Sequence, residues 1–175
     1  GVTSLLGSIL GNGTTTISKD DFNEEIDFLG ARLNIGFSGG FASTLTRNNE
    51  RVVELMADAV INPLLSEEEF NKEKNKLIEG LKVDKKSLDA IAGRVGGALS
   101  SGKNHAYGEF ITEETLNNIT FEDILEYHKK YFKPNNSYLV VIGDVDYKEI
   151  KSMISDKFGA WKKGKSHTDP IPTLT

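Results

Sequence analysis

Val2, Leu5, Leu6, Ile9 and Leu10 fall at i, i+3, i+4, i+7 and i+8, the spacing of one apolar helix face. The opposite face of this opening stretch carries Thr3, Ser4, Gly7, Ser8 and Gly11, all of them small. A glycine inside a helix costs about 1 kcal/mol relative to alanine. A helix that keeps two either needs close backbone approach there or has lost the side chains that once stood there. The second reading is developed below.

With 175 residues the chain is long enough for one domain with a real core. Residues 1–162 are read as that domain and 163–175 as a linker or truncated tail. The chain begins at Gly1, inside the first helix, as a processed or excised piece would. No apolar run approaches the roughly 18 residues of a membrane span. Net charge is −5 with acids and bases interspersed, so no basic stripe suggests a nucleic-acid partner. Cysteine is absent, which removes disulfides, thiolate metal sites and cysteine nucleophiles together.

In chain order, Ser18-Lys-Asp-Asp21 reads as a capped helix start, Phe22, Ile26 and Leu29 as its apolar face, and Gly30 as its stop. Leu33, Ile35 and Phe37, then Phe41, Ser43 and Leu45, alternate around Ser38-Gly39-Gly40, the pattern of a β-hairpin. Asn48 or Asn49 starts a helix that Pro63 ends. Ser66-Glu-Glu-Glu69 reads as a capping box. It opens one long helix through Phe70, Leu77, Leu81, Leu88, Ile91 and Val95, weakened by Gly80 and Gly93 and frayed or bent at Gly96-Gly97. Thr112 and Thr120 are further N-caps, and Pro134 closes the second of their helices. Tyr138 to Gly143 reads as a buried strand. Asp146 caps a last helix through Ile150, Ile154, Phe158 and Trp161, and Asp169-Pro-Ile-Pro172 is extended. This order gives an α+β fold with an antiparallel element. Three strands are few for its size, so a sheet partner is expected to be missing.

Residues alone point to no chemistry. His105, His128 and His167 have no second ligand at metal spacing, and His128 reads as solvated surface. No Ser-His-Asp arrangement follows from spacing. The acids Asp20, Asp21 and Glu67 to Glu69 sit at helix starts, where the dipole accounts for them. The glycines of residues 35–40 lead into a strand, without the Lys-Ser/Thr of a phosphate loop.

Several passages in one order nevertheless resemble the insulinase/pitrilysin family of metallopeptidases, which includes the mitochondrial processing peptidase. They are Gly13-Thr14, Leu29-Gly-Ala-Arg-Leu33-Asn34, Leu55-Met-Ala-Asp-Ala59-Val-Ile-Asn-Pro63, His105-Ala-Tyr-Gly108, Thr120-Phe-Glu-Asp123, Tyr131-Phe-Lys-Pro134-Asn-Asn136 and Val140-Val-Ile-Gly143-Asp-Val145. The resemblance implies a mitochondrial-processing-peptidase-like two-layer domain, a largely antiparallel sheet packed on helices. Relatives carry strands before the first helix that this chain lacks.

In that family the opening helix carries an inverted zinc motif, H-x-x-E-H, before a Gly-Thr. Its two histidines hold zinc and its glutamate serves as general base for a bound water. Aligned on Gly13-Thr14, the motif falls on Ser4-Leu-Leu-Gly7-Ser8. Ser4 and Ser8 stand at the ligand positions and Gly7 at the base. The third ligand, a glutamate on the long helix, falls on Gly80, and Glu79 is about 100° away around the helix. Neutral serines with no carboxylate are poor zinc ligands, so the resemblance implies no bound metal and no catalytic residue. It is to the family's non-catalytic subunits, which pair with a zinc-bearing subunit or a second homologous domain.

Family members bind extended peptides by adding a strand to a sheet edge, here Leu33, Asn34, Ile35, Gly36 and Phe37, through backbone pairing. Alternatively, Leu33, Ile35 and Phe37 are simply sheet core. Three functions follow: a zinc-free partner subunit of a peptidase, a structural scaffold of a larger complex, or a peptidase with another site, which no residue supports. The resemblance favours a bacterial periplasm or cell envelope, though no residue decides it.

Overall fold

The helices begin where short polar side chains replace the missing backbone partners of a first turn. In a computed structural model that describes residues 1–103 and 105–165, Ser18 Oγ accepts from the Asp21 amide, Ser66 Oγ from Glu69 and Ser87 Oγ from Ala90. Thr112 and Thr120 form reciprocal capping boxes with Thr115 and Asp123. Asp146 accepts from the amides of Lys148 and Glu149. The helices so started are α2 (Lys19–Phe28), α4 (Glu67–Asp84), α5 (Leu88–Ser101), α6 (Glu113–Asn117), α7 (Phe121–Tyr131) and α8 (Tyr147–Lys157). Two more, α1 (Val2–Ile9) and α3 (Asn49–Ile61), start without a side-chain cap bond. Asn48 instead donates through Nδ2 to the Leu29 carbonyl, tying α3 to the end of α2.

Strands β1 (Arg32–Gly36) and β2 (Gly39–Ser43) make one antiparallel hairpin, with Arg32 opposite Ser43 and Gly36 opposite Gly39. The turn is therefore Phe37-Ser38, not Ser38-Gly39-Gly40, and both glycines belong to β2. Close approach explains Gly40, where a Cβ would stand 2.7 Å from Ile35 Cδ1, but not Gly39, which has nothing within 4 Å of that position. The result is an α+β fold, with helices packed around a small antiparallel sheet.

The apolar face of α1 is the centre of the core. Leu5, Leu6 and Ile9 are fully buried with Phe22, Ile35, Val52, Leu55, Leu116 and Ile124. Around it α1 meets α4, α7 and β1, while α3 meets the hairpin on one side and α8 on the other. At the roughly 1.5–3 kcal/mol that burying one such side chain contributes, this cluster is the main stabilising element of the fold.

Four further expectations are corrected. The long helix is two: the chain breaks at Lys85-Lys86-Ser87, because Ser87 caps a new helix while its own amide bonds Asp84. Helix α5 then runs through Gly96-Gly97 without fraying and stops at Gly102, which has φ +85°. The start of α4 is a single cap, since the Glu69 carboxylate reaches Lys19 and Lys72 rather than the Ser66 amide. Tyr138 to Gly143 is neither a strand nor buried, as no strand among the described residues pairs with it. His167 and Asp169 to Pro172 lie outside the described residues. Among the described residues, no helix is long and apolar enough to cross a membrane.

Candidate functional site

The junction after α1 fixes how its small face is presented. Gly13, at φ +110°, has no room for a side chain, since a Cβ would stand 2.9 Å from the Ile17 carbonyl oxygen. Thr14 is buried, and its Oγ1 accepts from the amides of Thr16 and Ile17. The Thr15 amide donates to the Asn62 carbonyl and the Leu64 amide to that of Gly13. Two of the recurring passages, Gly13-Thr14 and the run ending at Pro63, are thus one clasp holding α1 against α3.

On the face so presented, Ser8 Oγ donates to the Ser4 carbonyl at 3.0 Å, within its own helix. Gly7 lies beneath the hairpin turn, where an added Cβ would be 3.7 Å from Phe37 Cδ1, an ordinary contact. Gly80 is exposed on α4, with nothing within 4 Å of the position its Cβ would take. Neither glycine is required by close packing. Glu73, one of the remaining acids of α4, bonds Lys76 at 2.8 Å, and Glu79 bonds Lys82 at 2.8 Å. Hydroxyls and glycines do not match what zinc requires, an imidazole or carboxylate at each ligand position. No step of a reaction can be built on these residues.

Leu33, Asn34, Ile35 and Gly36 lie in β1 and Phe37 in the turn beyond it. Ile35 is buried in the core and Leu33 packs against it, while Asn34 and Phe37 are exposed. Among the described residues β1 pairs only with β2, so its other edge carries no strand. The hairpin turn brings Phe37 to the small face of α1, so the edge strand and the altered motif adjoin.

His105 and His128 serve structure. His105 is buried, its Nδ1 accepts from the Tyr107 amide, and its carbonyl accepts from Gly108 and Glu109. His128 is not solvated surface. It packs between α7 and the end of α3, with Nε2 3.3 Å from the Val60 carbonyl oxygen and its ring stacked on Phe132 at 4.6 Å. Burial holds its pKa below the usual imidazole value. Sequence reasoning missed this because Val60 is far away along the chain.

It also missed the bidentate pair of Arg51 and Glu25, at 2.6 and 2.8 Å between α3 and α2, for which no sequence pattern exists. The hydrogen bond from Arg51 holds the Glu25 carboxyl below the ordinary range. A cleft of about 490 Å³ between α3 and α8 is lined by Arg51, Asp58, Asn62 and Lys157 among others. Its polar groups are engaged with one another: Asn62 with Asp58 at 2.9 Å and Lys157 with Glu54 at 3.9 Å.

Comparison with known proteins agrees with this architecture. Residues 1–94 match the profile of the insulinase family (peptidase family M16), and residues 118–175 that of the peptidase M16 inactive domain. The chain is 27% identical over 172 residues to an uncharacterized zinc protease of Rickettsia felis, covering 94% of this chain and 41% of that protein. It is 26% identical over 168 residues to the bovine mitochondrial-processing peptidase subunit beta, covering 93% of this chain and 34% of that one. The fold matches the crystal structure of the first half of the periplasmic protease PqqL from Escherichia coli, with a TM-score of 0.80 at 16% identity. That match covers all of this chain and 40% of the other. The chain thus spans between a third and two fifths of the length of these relatives.

Proposed function

This chain belongs to the insulinase family of peptidases, M16, and from that premise we propose that it is a zinc-free partner. In this reading it helps a separate zinc-bearing subunit or homologous domain enclose extended peptides and does no cleavage itself. One observation carries the reading. All four positions of the zinc motif, Ser4, Gly7, Ser8 and Gly80, lack a ligand or base, while the buried face of the same helix keeps Leu5, Leu6 and Ile9 in the core. Such a pattern maintains a domain after its chemistry is lost. The open edge of β1 supports peptide binding, because strand addition uses backbone N–H and C=O groups and requires no particular side chain. Of Leu33, Asn34, Ile35, Gly36 and Phe37, the first four supply the strand, and Phe37 faces the peptide's approach beside Gly7. A periplasmic or cell-envelope location belongs to the same proposal.

The test is peptide cleavage by the purified protein, alone and co-expressed with a zinc-bearing member of the family. The isolated protein is expected to leave an unfolded peptide intact and to carry no stoichiometric zinc. The pair is expected to cleave, with loss of activity on chelation. Cleavage by the isolated protein that chelation abolishes overturns the zinc-free reading. Absence of both cleavage and peptide binding in the pair leaves the scaffold role as the better account.

A further inference from the structure

Two runs of lysine that are separate in the sequence, at 129–133 and 162–165, are brought together by the fold. The end of α7 leads through Phe132 to Pro134 and Asn135, and the chain leaving α8 lies back along it. Trp161 Nε1 donates to the Phe132 carbonyl at 3.3 Å, and the Gly164 amide donates to Asn135 Oδ1 at 3.0 Å. Gly164 is packed onto the Lys133 side chain, since a Cβ there would stand 2.8 Å from Lys133 Cδ. Lys129, Lys130, Lys133, Lys162, Lys163 and Lys165 thereby share one patch, and all but the half-buried Lys133 are exposed. No acidic residue occurs in 127–143 or in 157–165. Among the described residues Lys129, Lys133, Lys162, Lys163 and Lys165 form no ion pair. On α4, by contrast, Lys72, Lys76 and Lys82 each pair with a glutamate three residues earlier. The chain's net charge is −5, so without these six lysines the rest of it carries −11. Unneutralised positive charge is thus gathered at one place on an otherwise acidic molecule.

We infer that this lysine patch docks the protein on a membrane surface through anionic lipid headgroups. Charge complementarity names an anionic partner, and the residue type selects among anionic partners. Every cation in the patch is lysine. A lysine ammonium is a strongly hydrated point charge on a flexible stem, suited to diffuse attraction by a charged plane. The planar fork of arginine, which reads phosphates and base edges in pairs, is missing. Protein interfaces are likewise depleted in lysine and enriched in arginine and aromatic residues. The acidic remainder of the chain does not prevent such docking. Screening confines these forces to about 8 Å at physiological salt, so acids turned away from the membrane contribute little repulsion. The inference stands apart from the peptide-binding reading of β1, which involves none of these lysines.

The experiment uses the protein as its gene encodes it, with any flanking sequence. Co-sedimentation is measured with vesicles of phosphatidylcholine alone and with vesicles in which about one lipid in three is phosphatidylglycerol. Binding to the mixed vesicles is expected to be about tenfold or more tighter than to the neutral ones, and to weaken as salt rises from about 0.05 to 0.5 M. Lys129→Gln, Lys162→Gln and Lys163→Gln combined are expected to weaken it by about 100-fold. Lys72→Gln, Lys76→Gln and Lys82→Gln combined remove the same charge from α4 and are expected to change it by about twofold or less. Equal binding to both kinds of vesicle, or to neither, overturns the inference. So does an equal loss in the α4 variant, which makes the attraction a matter of net charge. Binding to duplex DNA or polyglutamate in preference to the mixed vesicles assigns the patch to a soluble polyanion and overturns it as well. The lipid and salt comparisons use the unaltered protein and stand even if a variant fails to fold.

Discussion

An added Cβ at Gly40 would meet Ile35 Cδ1 at 2.7 Å, the Asn34 carbonyl oxygen at 3.1 Å and Met56 Cε at 3.2 Å. At Gly7 the nearest atom would be 3.7 Å away, and at Gly80 there is none within 4 Å. The same residue type is required by packing in one place and tolerated in the others. Gly40→Ala is expected to lower stability by about 1–3 kcal/mol through overpacking. Gly7→Ala and Gly80→Ala are each expected to raise it, by up to about 1 kcal/mol, because alanine is the better helix former. Thermal melts of the three variants check the signs. A loss at Gly7→Ala comparable to that at Gly40 would restore close approach as the reason for the glycine and weaken the reading of a vacated site. Gly40 was misread as a turn residue because a sequence shows that a side chain is missing, not whether a partner fills its place.

Element by element, what was legible was what is local. Ser18, Thr112, Thr120 and Asp146 were readable as helix starts because a cap and its target amide lie within three residues. The break at Ser87 has the same physics, but the apolar residues Leu81, Leu88 and Ile91 keep near-helical spacing across it and concealed it. Residues 138–143 read as a buried strand, and the structure gives neither strand nor burial there, since both depend on a neighbour that no local pattern encodes. His128 belongs to this scale, because it couples α7 to the last turn of α3. Its pKa is depressed by burial, against which the Val60 carbonyl acts and with which Lys133 acts. The folded protein therefore keeps His128 neutral at a pH where the unfolded chain, with a value near 6.5, takes up a proton. The contribution is present above about pH 6.5 and declines as pH falls from there toward the lower folded value. Denaturant titrations at pH 7.0 and 5.5 are expected to show a drop in stability that is smaller in His128→Gln. An equal drop in that variant assigns the pH dependence elsewhere.

At the scale of the molecule, the α+β class and the succession of helices and hairpin were readable because each element carries its own periodicity. The candidate site was readable only as a pattern of substitutions, and its meaning rests on α1 and α4 lying side by side in the register that the family motif demands. These helices do pack together, and the packing turns Leu77 and Leu81 toward the core while Gly80 stays exposed. The register can be tested by returning what the alignment says is gone, with Ser4→His, Gly7→Glu, Ser8→His and Gly80→Glu combined. Two imidazoles and a carboxylate make a three-ligand zinc site with one open position, and the fourth change restores the base. Zinc at 100 times the dissociation constant is then expected to stabilise the quadruple variant by about 2.7 kcal/mol, read as a rise in melting temperature absent from the unaltered chain. The triple variant without Gly80→Glu, left with the histidines alone as ligands, is expected to bind far more weakly. A folded quadruple variant indifferent to zinc would mean that α1 and α4 do not present these positions to a common point. Ser4, Gly7, Ser8 and Gly80 would then be four unrelated small residues, and the case for a peptidase fold that outlived its chemistry would lose its structural basis.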